Sequence, residues 1–294
     1  MNCIDQDITD QWAIYHGDCV EVLQGLPAHS ADYSIFSPPF ASLYTYSNSA
    51  RDMGNCRNDA EFFEQFAYLV TELRRVIKPG RNVSFHCMLM PTSKERDGYI
   101  GLKDFRGDLI RAFQKEGFIY ASEVCIWKDP VTAMQRTKAL GLLHKTVRGN
   151  ASMSRQGIPD YLVTMRAPGE CEDRVTHDPE QYPVQKWQQV ASPIWTDIDP
   201  SDTLQYRSAR EHDDERHICP LQLEVIRRGV DLWTNPGDVV LSPFMGIASE
   251  GFVAVEMQRR FVGVELKASY YQQAVLNMRQ AIATSDLFGV EAAA

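Results

Sequence analysis

Two short segments carry residue types that could do chemistry. The first is Ser37-Pro38-Pro39-Phe40, directly after the β-type run Tyr33-Ser34-Ile35-Phe36. Two prolines cannot continue a central strand, so the tetrapeptide belongs in the loop at the strand's carboxyl end. The second is Ser242-Pro243-Phe244-Met245-Gly246-Ile247-Ala248-Ser249, between the strand run Val239-Val240-Leu241 and a helical stretch. A small-residue turn from strand to helix brings backbone N–H groups and a helix N-terminus close to a ligand. About twenty residues later the next strand run carries Glu265, an acid of the kind that holds ribose hydroxyls. The same residues also read as a tight turn followed by an acidic surface residue, and Ala248 stands where one glycine of the usual G-x-G would be.

Other chemistries find little support. His86, His144, His177 and His217 show no metal-ligand spacing, and no C-x-x-C occurs, so no metal is expected. The seven cysteines are odd in number and widely scattered, which reads as reduced thiols rather than a disulfide framework.

The elements that must position these segments follow from periodicity. Val20 to Leu26 is a short amphipathic stretch ended by Pro27. Asp59 is placed to cap a helix over 60–77, in which Phe62, Phe66, Leu69, Val70, Leu73 and Val76 recur at helical spacing, with Lys78-Pro79-Gly80 ending it. Strands are expected at 82–87 and 124–127, with a helix over 104–115 between them. After an irregular, polar stretch at 129–160 come a strand at 161–165 and a second irregular stretch at 167–215. A helix over 221–233, a strand at 238–241, a helix over 249–259, a strand at 261–266 and a helix over 269–282 complete the chain, and 290–294 reads as a frayed tail. The alternation argues for a parallel α/β sheet.

Composition fits one large α/β domain with an inserted module: 294 residues, 44% hydrophobic and 23% charged. It excludes a disordered or collagen-like chain. The longest apolar stretches fall well short of the ~20 residues that cross a bilayer, and Met1 to Asp10 holds neither a basic patch nor an apolar run, so neither membrane span nor signal peptide is expected. The net charge of −9 does not suit a general polyanion binder. Locally the balance reverses: from Val131 to Pro168 the charged residues are Arg136, Lys138, Lys145, Arg148, Arg155 and Arg166 against only Asp160. Basic groups interleaved with Thr, Asn, Ser and Gln suit phosphate positioning and base-edge readout, or a solvated loop.

Taken together, these motifs resemble the β group of the amino-methyltransferases of DNA, over nearly the whole chain. Their catalytic motif, (Asp/Asn/Ser)-Pro-Pro-(Tyr/Phe/Trp), is matched by Ser37 to Phe40. Their cofactor motif, Asp-Pro-Phe-x-Gly-x-Gly, is matched by Ser242 to Ala248, with Ser242 in place of an Asp and Ala248 in place of a Gly. The second change adds a methyl where the family's backbone approaches the cofactor's methionine moiety. Tyr15-His16-Gly17-Asp18-Cys19 is similar to the family's Gly-Asp segment, whose Asp lies at the cofactor adenine. Ile126-Trp127-Lys128 is similar to the strand before its variable region. Arg216 to Pro220 looks like the segment preceding the helix that abuts the cofactor, and Phe261 to Tyr270 like the Gly-x-Glu segment that holds the ribose. The catalytic motif preceding the cofactor motif is the β-group order.

The resemblance implies an α/β fold of the Rossmann-like methyltransferase kind, with a mostly parallel twisted sheet, circularly permuted. It implies a catalytic domain of residues 1–130 and 216–294 and an inserted target-recognition region at 131–215. S-adenosylmethionine is the implied cofactor, held by Asp18, Cys19, His217, Ile218, Cys219, Phe244, Gly246, Ala248, Ser249, Glu265 and Leu266. Catalysis falls to Ser37, Pro38, Pro39 and Phe40. The Ser37 hydroxyl and Pro38 carbonyl would accept hydrogen bonds from an exocyclic NH2, favouring a pyramidal nitrogen whose lone pair points at the methyl sulfonium. Phe40 offers a ring face to a base that has left the duplex. The absence of a Pro-Cys dipeptide argues against attack by a thiolate on a ring carbon. Ser37 fits cytosine N4 and the base rate of solitary β-group enzymes fits adenine N6, with adenine favoured.

The implied partner is double-stranded DNA, contacted by Arg136, Lys138, Lys145, Arg148 and Arg155. Tyr44, Tyr46 and Arg51 form either a lid over the base or a packed aromatic loop. A cytoplasmic homodimer of prokaryotic or viral type is expected, with no companion nuclease implied; the acidic stretch 199–215 would face away from DNA or meet a partner subunit. The alternatives are an RNA or protein amino-methyltransferase and a catalytically dead nucleic-acid-binding module.

Overall fold

Strand-forming runs and amphipathic helices alternate along most of the chain, and the structure, a computed structural model, describes residues 2–40, 52–137, 139–180, 182–205 and 220–291. The first half holds β1 (Asp5–Ile8), β2 (Trp12–His16), α1 (Cys19–Gln24), β3 (Ala31–Phe36), α2 (Asp59–Val76), β4 (Ile77–Met88), β5 (Met90–Pro91), α3 (Lys94–Asp97), β6 (Leu102–Lys103), α4 (Phe105–Lys115) and β7 (Ile119–Ile126). Then follow α5 (Pro130–Thr137), α6 (His144–Gly149), β8 (Asp160–Arg166), α7 (Val184–Ala191), β9 (Ile194–Trp195), α8 (Leu223–Trp233), β10 (Val239–Ser242), α9 (Ser249–Glu256), β11 (Arg260–Glu265) and α10 (Ala268–Glu291).

The main sheet has nine strands in the order β1-β2-β11-β10-β3-β4-β8-β7-β9. It is mostly parallel; β1/β2, β4/β8 and β7/β8 are the antiparallel pairs. β10 lies parallel between β11 and β3. The chain reaches β11 through α9 on one side of β10 and continues from β3 to β4 on the other, so β10/β3 is the point where the winding reverses. Ligands of open α/β sheets bind at the carboxyl ends of strands at such a point.

Helices cover both faces. One apolar layer buries Val22 and Leu23 of α1, the stripe Phe62, Phe66, Leu69, Leu73 of α2, and Phe105, Leu109 and Phe113 of α4. The other buries Val225, Ile226 and Val230 of α8, Val253 and Ala254 of α9, and Ala274 and Met278 of α10. Alternation along β3 divides the two layers: Tyr33 and Ile35 face one, Phe36 the other.

At the amino ends of the central strands an ion network joins three of them. The Arg81 guanidinium, buried in β4, pairs with Asp32 of β3 at 2.9 Å and with Asp238 beside β10. Lys78 reaches Asp32 at 2.7 Å, and the other Asp32 oxygen accepts the Val239 amide at 2.9 Å.

The structure corrects four expectations. The cap of α2 is Asn58, whose side chain accepts the Glu61 amide at 2.9 Å, so Asp59 is the first helical residue. Lys78-Pro79-Gly80 is no terminator: α2 stops at Val76, and β4 runs through all three. Gly80 makes this possible with a φ of +72°, and a Cβ there would stand 2.7 Å from the Cys171 backbone. The expected crossover between the strands at 124–127 and 161–165 is replaced by an antiparallel pair, β7 with β8, within a sheet that is mostly parallel as expected. The stretch 129–160 is not irregular but contains α5 and α6.

Of the segment 131–215, β8 and β9 are hydrogen-bonded strands of the main sheet. Among the described residues, no helix is long and apolar enough to cross a membrane.

Candidate active site

The carboxyl ends of β3, β10 and β11 lie side by side because the three strands are parallel neighbours. Each delivers its following loop to the same edge. One cavity there is lined by Ser37, Pro38, Pro39 and Phe40 after β3, by Phe244 and Gly246 after β10, by Ser249 at the start of α9, and by Glu265 and Leu266 at the end of β11. Asp18 and Cys19 join it from the β2–α1 corner, since β2 pairs in parallel with β11. Residues more than two hundred positions apart in sequence thus form one wall.

Glu265 organises the far side. Its Oε2 accepts the Gly246 amide at 3.0 Å and its Oε1 the Lys267 amide at 2.8 Å. Gly246 has a φ of +53°, which turns its N–H toward that carboxylate. Burial, with the Asp52 charge adding to it, pushes the Glu265 carboxyl up to about 7, against the backbone amides of Lys267, Gly246 and Leu266 that hold it down. Next to it, burial pushes Glu250 in the first turn of α9 up to about 8, with the Glu265 charge adding to the shift.

Asp18 has a structural duty: it caps α1, its Oδ1 accepting the Glu21 amide at 3.0 Å. The Cys19 thiol is buried, which pushes it up far out of reach of ionisation. Ala248 is fully buried and does not line the cavity. Its φ of +65° explains the glycine of the motif better than close approach to a ligand does: the position is left-handed, and alanine occupies it at a cost of about 1–2 kcal/mol. Ser249 Oγ, by contrast, is buried in the cavity wall with no hydrogen-bond partner among the described residues.

On the side of the Ser37–Phe40 loop, Pro38 is buried and Ser37 is half-buried. Ser37 Oγ lies 3.2 Å from His86 Nδ1. Phe40 packs its ring 6.2 Å from that of Phe105, and Phe36 and Phe244 pack across the strand ends at 5.8 Å.

Sequence reasoning missed Asp52, Met53, Leu221, Glu250, Lys267 and Tyr270 in this wall, and His86 behind it. Lys267 and Tyr270 carry a local signal, lying in the Phe261–Tyr270 segment and stacked with the Lys267 ammonium 4.5 Å from the Tyr270 ring centre. His86 has none, because it reaches Ser37 from a neighbouring strand.

Of the basic residues expected to contact DNA, Lys145, Arg148 and Arg155 are described, and none of the three is at the cavity wall. Lys145 and Arg148 are exposed on α6. Arg155 is half-buried, its Nη1 donating to the Gln156 carbonyl at 3.0 Å and its stem packed against Gly141. Arg136 lies in α5, its side chain outside the described part. Tyr44, Tyr46, Arg51, Lys138, His217, Ile218 and Cys219 lie outside the described residues. Among the described residues, no cluster of His, Cys, Asp and Glu could hold a metal ion.

A family model described as DNA methylase matches residues 31–276. The chain is 24% identical over 262 residues to the type II methyltransferase M.BglII of Bacillus subtilis, covering 87% of this chain and 66% of that protein's length. It is 23% identical over 266 residues to the DNA adenine methyltransferase YhdJ of Escherichia coli K12, covering 87% and 79%. Two solved structures share the fold. A candidate DNA modification methylase of Thermus thermophilus, complexed with S-adenosyl-L-methionine, superposes with a TM-score of 0.70 at 21% identity, covering 93% of this chain and 94% of that one. The cytosine-N4-specific PvuII DNA methyltransferase superposes with a TM-score of 0.67 at 16% identity, covering 97% and 95%.

Proposed function

The chain belongs to the N6/N4 DNA methylase family, and on that footing we propose that it transfers a methyl group from S-adenosylmethionine to the exocyclic amino nitrogen of a base flipped out of double-stranded DNA. The observation that carries this is the single cavity that joins Ser37–Phe40 to Glu265 and the Gly246 loop.

The residues present fit the cofactor. The Glu265 carboxylate has lone pairs left beyond its two amide bonds, enough for ribose hydroxyls. The orphaned Ser249 Oγ and the N-terminus of α9 suit the carboxylate end of a methionine moiety. Burial keeps the adjacent Glu250 carboxyl largely protonated at neutral pH, so it adds little repulsion there. The cofactor supplies an electrophilic methyl group. Ser37 Oγ and the Pro38 carbonyl accept the two hydrogens of the target NH2, which turns its lone pair out of ring conjugation. Phe40 stacks on the extruded base, and its packing against Phe105 holds that ring in place.

Adenine N6 is the proposed target, supported by the similarity to YhdJ; the serine of Ser37 favours cytosine N4 as the second reading. For DNA recognition we assign the segment between β7 and β8, which carries Lys145 and Arg148 exposed on α6. The catalytic unit is then the whole nine-stranded sheet with its helices, β8 and β9 included, and the enzyme works as a twofold homodimer in the cytoplasm. Closed twofold pairs are the commonest assembly of soluble chains.

Mass spectrometry of nucleosides from cells expressing the chain, against cells expressing Ser37→Ala, tests the activity. N6-methyladenine in DNA from the first cells only is the expected result. N4-methylcytosine would move the target to cytosine. Methylation confined to RNA or protein, or no modification at all, would refute DNA methylation.

A further inference from the structure

We propose that His86 is a positioning residue for methyl transfer, acting through Ser37 to make the serine hydroxyl an acceptor toward the target amine. The proposal rests on the assignment of Ser37 given above. A serine hydroxyl can donate as well as accept. A hydroxyl that donates to the amino nitrogen occupies the lone pair that must attack the methyl group. A carboxylate at the same place has no proton to donate, so the motif's alternative Asp does not face this problem. The serine needs a neighbour that accepts a hydrogen bond from its O–H.

His86 is placed to be that neighbour. It lies on β4, the strand beside β3, and its Nδ1 is 3.2 Å from Ser37 Oγ. Its other nitrogen, Nε2, is 3.0 Å from Asp160 Oδ2 on β8, a close contact whose geometry falls short of a hydrogen bond. Asp160 is buried, and Lys128 Nζ approaches the same oxygen at 2.5 Å. His86 and Lys128 together hold the Asp160 carboxyl below the usual carboxylate range despite its burial. An ionised Asp160 facing Nε2 favours the tautomer with its proton there, which leaves a lone pair on Nδ1. Ser37 O–H then donates to Nδ1, and its oxygen lone pairs are left for the cavity. The chain Ser37–His86–Asp160–Lys128 crosses three strands, β3, β4 and β8, and ends on the segment that follows β7.

Tritium transfer from S-adenosylmethionine to unmethylated genomic DNA, under single-turnover conditions with both saturating, tests the proposal. His86→Ala should lower the transfer rate about tenfold, the worth of one ordinary hydrogen bond, with S-adenosylmethionine affinity by calorimetry unchanged. His86→Asn places an amide oxygen near the position of Nδ1 and should recover most of the rate. In a Ser37→Ala background the His86→Ala change should have no further effect. A parental rate in His86→Ala, or an equal loss in both backgrounds, would overturn the role of His86. So would an Asn variant that folds, binds cofactor and is as slow as the Ala variant. A parental rate in Ser37→Ala is a different failure: it refutes the assignment of Ser37 itself.

Discussion

The Gly246 amide donates to Glu265 Oε2 at 3.0 Å, tying the loop after β10 to the end of β11. One carboxylate therefore both shapes the glycine turn and faces the cavity. Glu265→Ala is expected to weaken S-adenosylmethionine binding by about 1.5–3 kcal/mol for each charge-assisted bond removed, and Asp18→Ala to weaken it less. Calorimetric titration reads both. Parental affinity in the two variants would place the cofactor elsewhere.

Glu265 and Glu250 have folded-state values raised to about 7 and about 8 by burial. The unfolded chain holds both near the ordinary glutamate value of about 4.3. The folded state thus binds protons more tightly, so their contribution to stability is complete below about pH 4.3 and is lost as the pH rises toward 8. In thermal melts of the ligand-free protein, Glu250→Gln should raise the Tm relative to the parent at pH 8 more than at pH 5, about the two ends of that window. An equal difference at both pH values would show that Glu250 is not held protonated.

Phe40→Ala removes the ring proposed to stack on the extruded base, a loss of about 1–3 kcal/mol in DNA binding by fluorescence anisotropy. Ser37→Ala acts on the reacting nitrogen and should lower kcat with little change in DNA affinity. The reverse pattern would exchange the two roles.

Lys145→Glu with Arg148→Glu, both on the exposed side of α6, should weaken DNA binding and flatten its dependence on salt, by about one counterion for each phosphate that the variant no longer neutralises. Cofactor affinity should not move. A parental salt slope would take α6 out of the DNA interface. Arg155 is left out of this pair because its half-buried stem packs against Gly141, so changing it also perturbs the segment's own fold.

Arg81→Ala should lower stability in urea melts by about 3 kcal/mol, the lower end of the range for breaking a buried pair. Lys78 still stands 2.7 Å from Asp32 and softens the loss. The network is at the amino ends of the strands, opposite the cavity, so cofactor affinity per folded molecule should stay the same.

Much of the framework was legible because it rests on local pattern. The apolar stripe Phe62 to Val76 became α2 with every one of those residues buried. Ser37–Phe40, Gly246 and Glu265 were identifiable because loops at strand ends announce themselves through proline, glycine and a following acid. What was not legible depended on neighbours distant in sequence. The direction of β8 is set by its pairing with β4 and β7, which the run Tyr161 to Met165 does not encode by itself. Gly80 permits a strand to pass through a Pro-Gly step that normally stops one, and the need appears only when Cys171 is seen against it. Ala248 was expected to bring its methyl to the cofactor; its burial and left-handed backbone appear only once the β10–α9 turn is folded. His86, one of seven histidines, gains a partner only when β3 and β4 lie side by side.

The last rung of the β7/β8 ladder pairs Ile126 with Asp160. The chain therefore leaves the sheet and re-enters it on adjacent strands, about 5 Å apart. A loop closed in that way is a cassette. Its length and sequence can change without shifting the register of any strand, since closure entropy grows only slowly with length. A foreign segment grafted between those two residues would meet the same two anchor points. The graft is not free of the chemistry, however. Lys128 lies inside the exchanged stretch, and Asp160, at its downstream end, contacts His86. On the proposed assignment of this stretch to DNA recognition, a chimera that keeps both residues should change the sequence methylated while preserving the contacts behind Ser37.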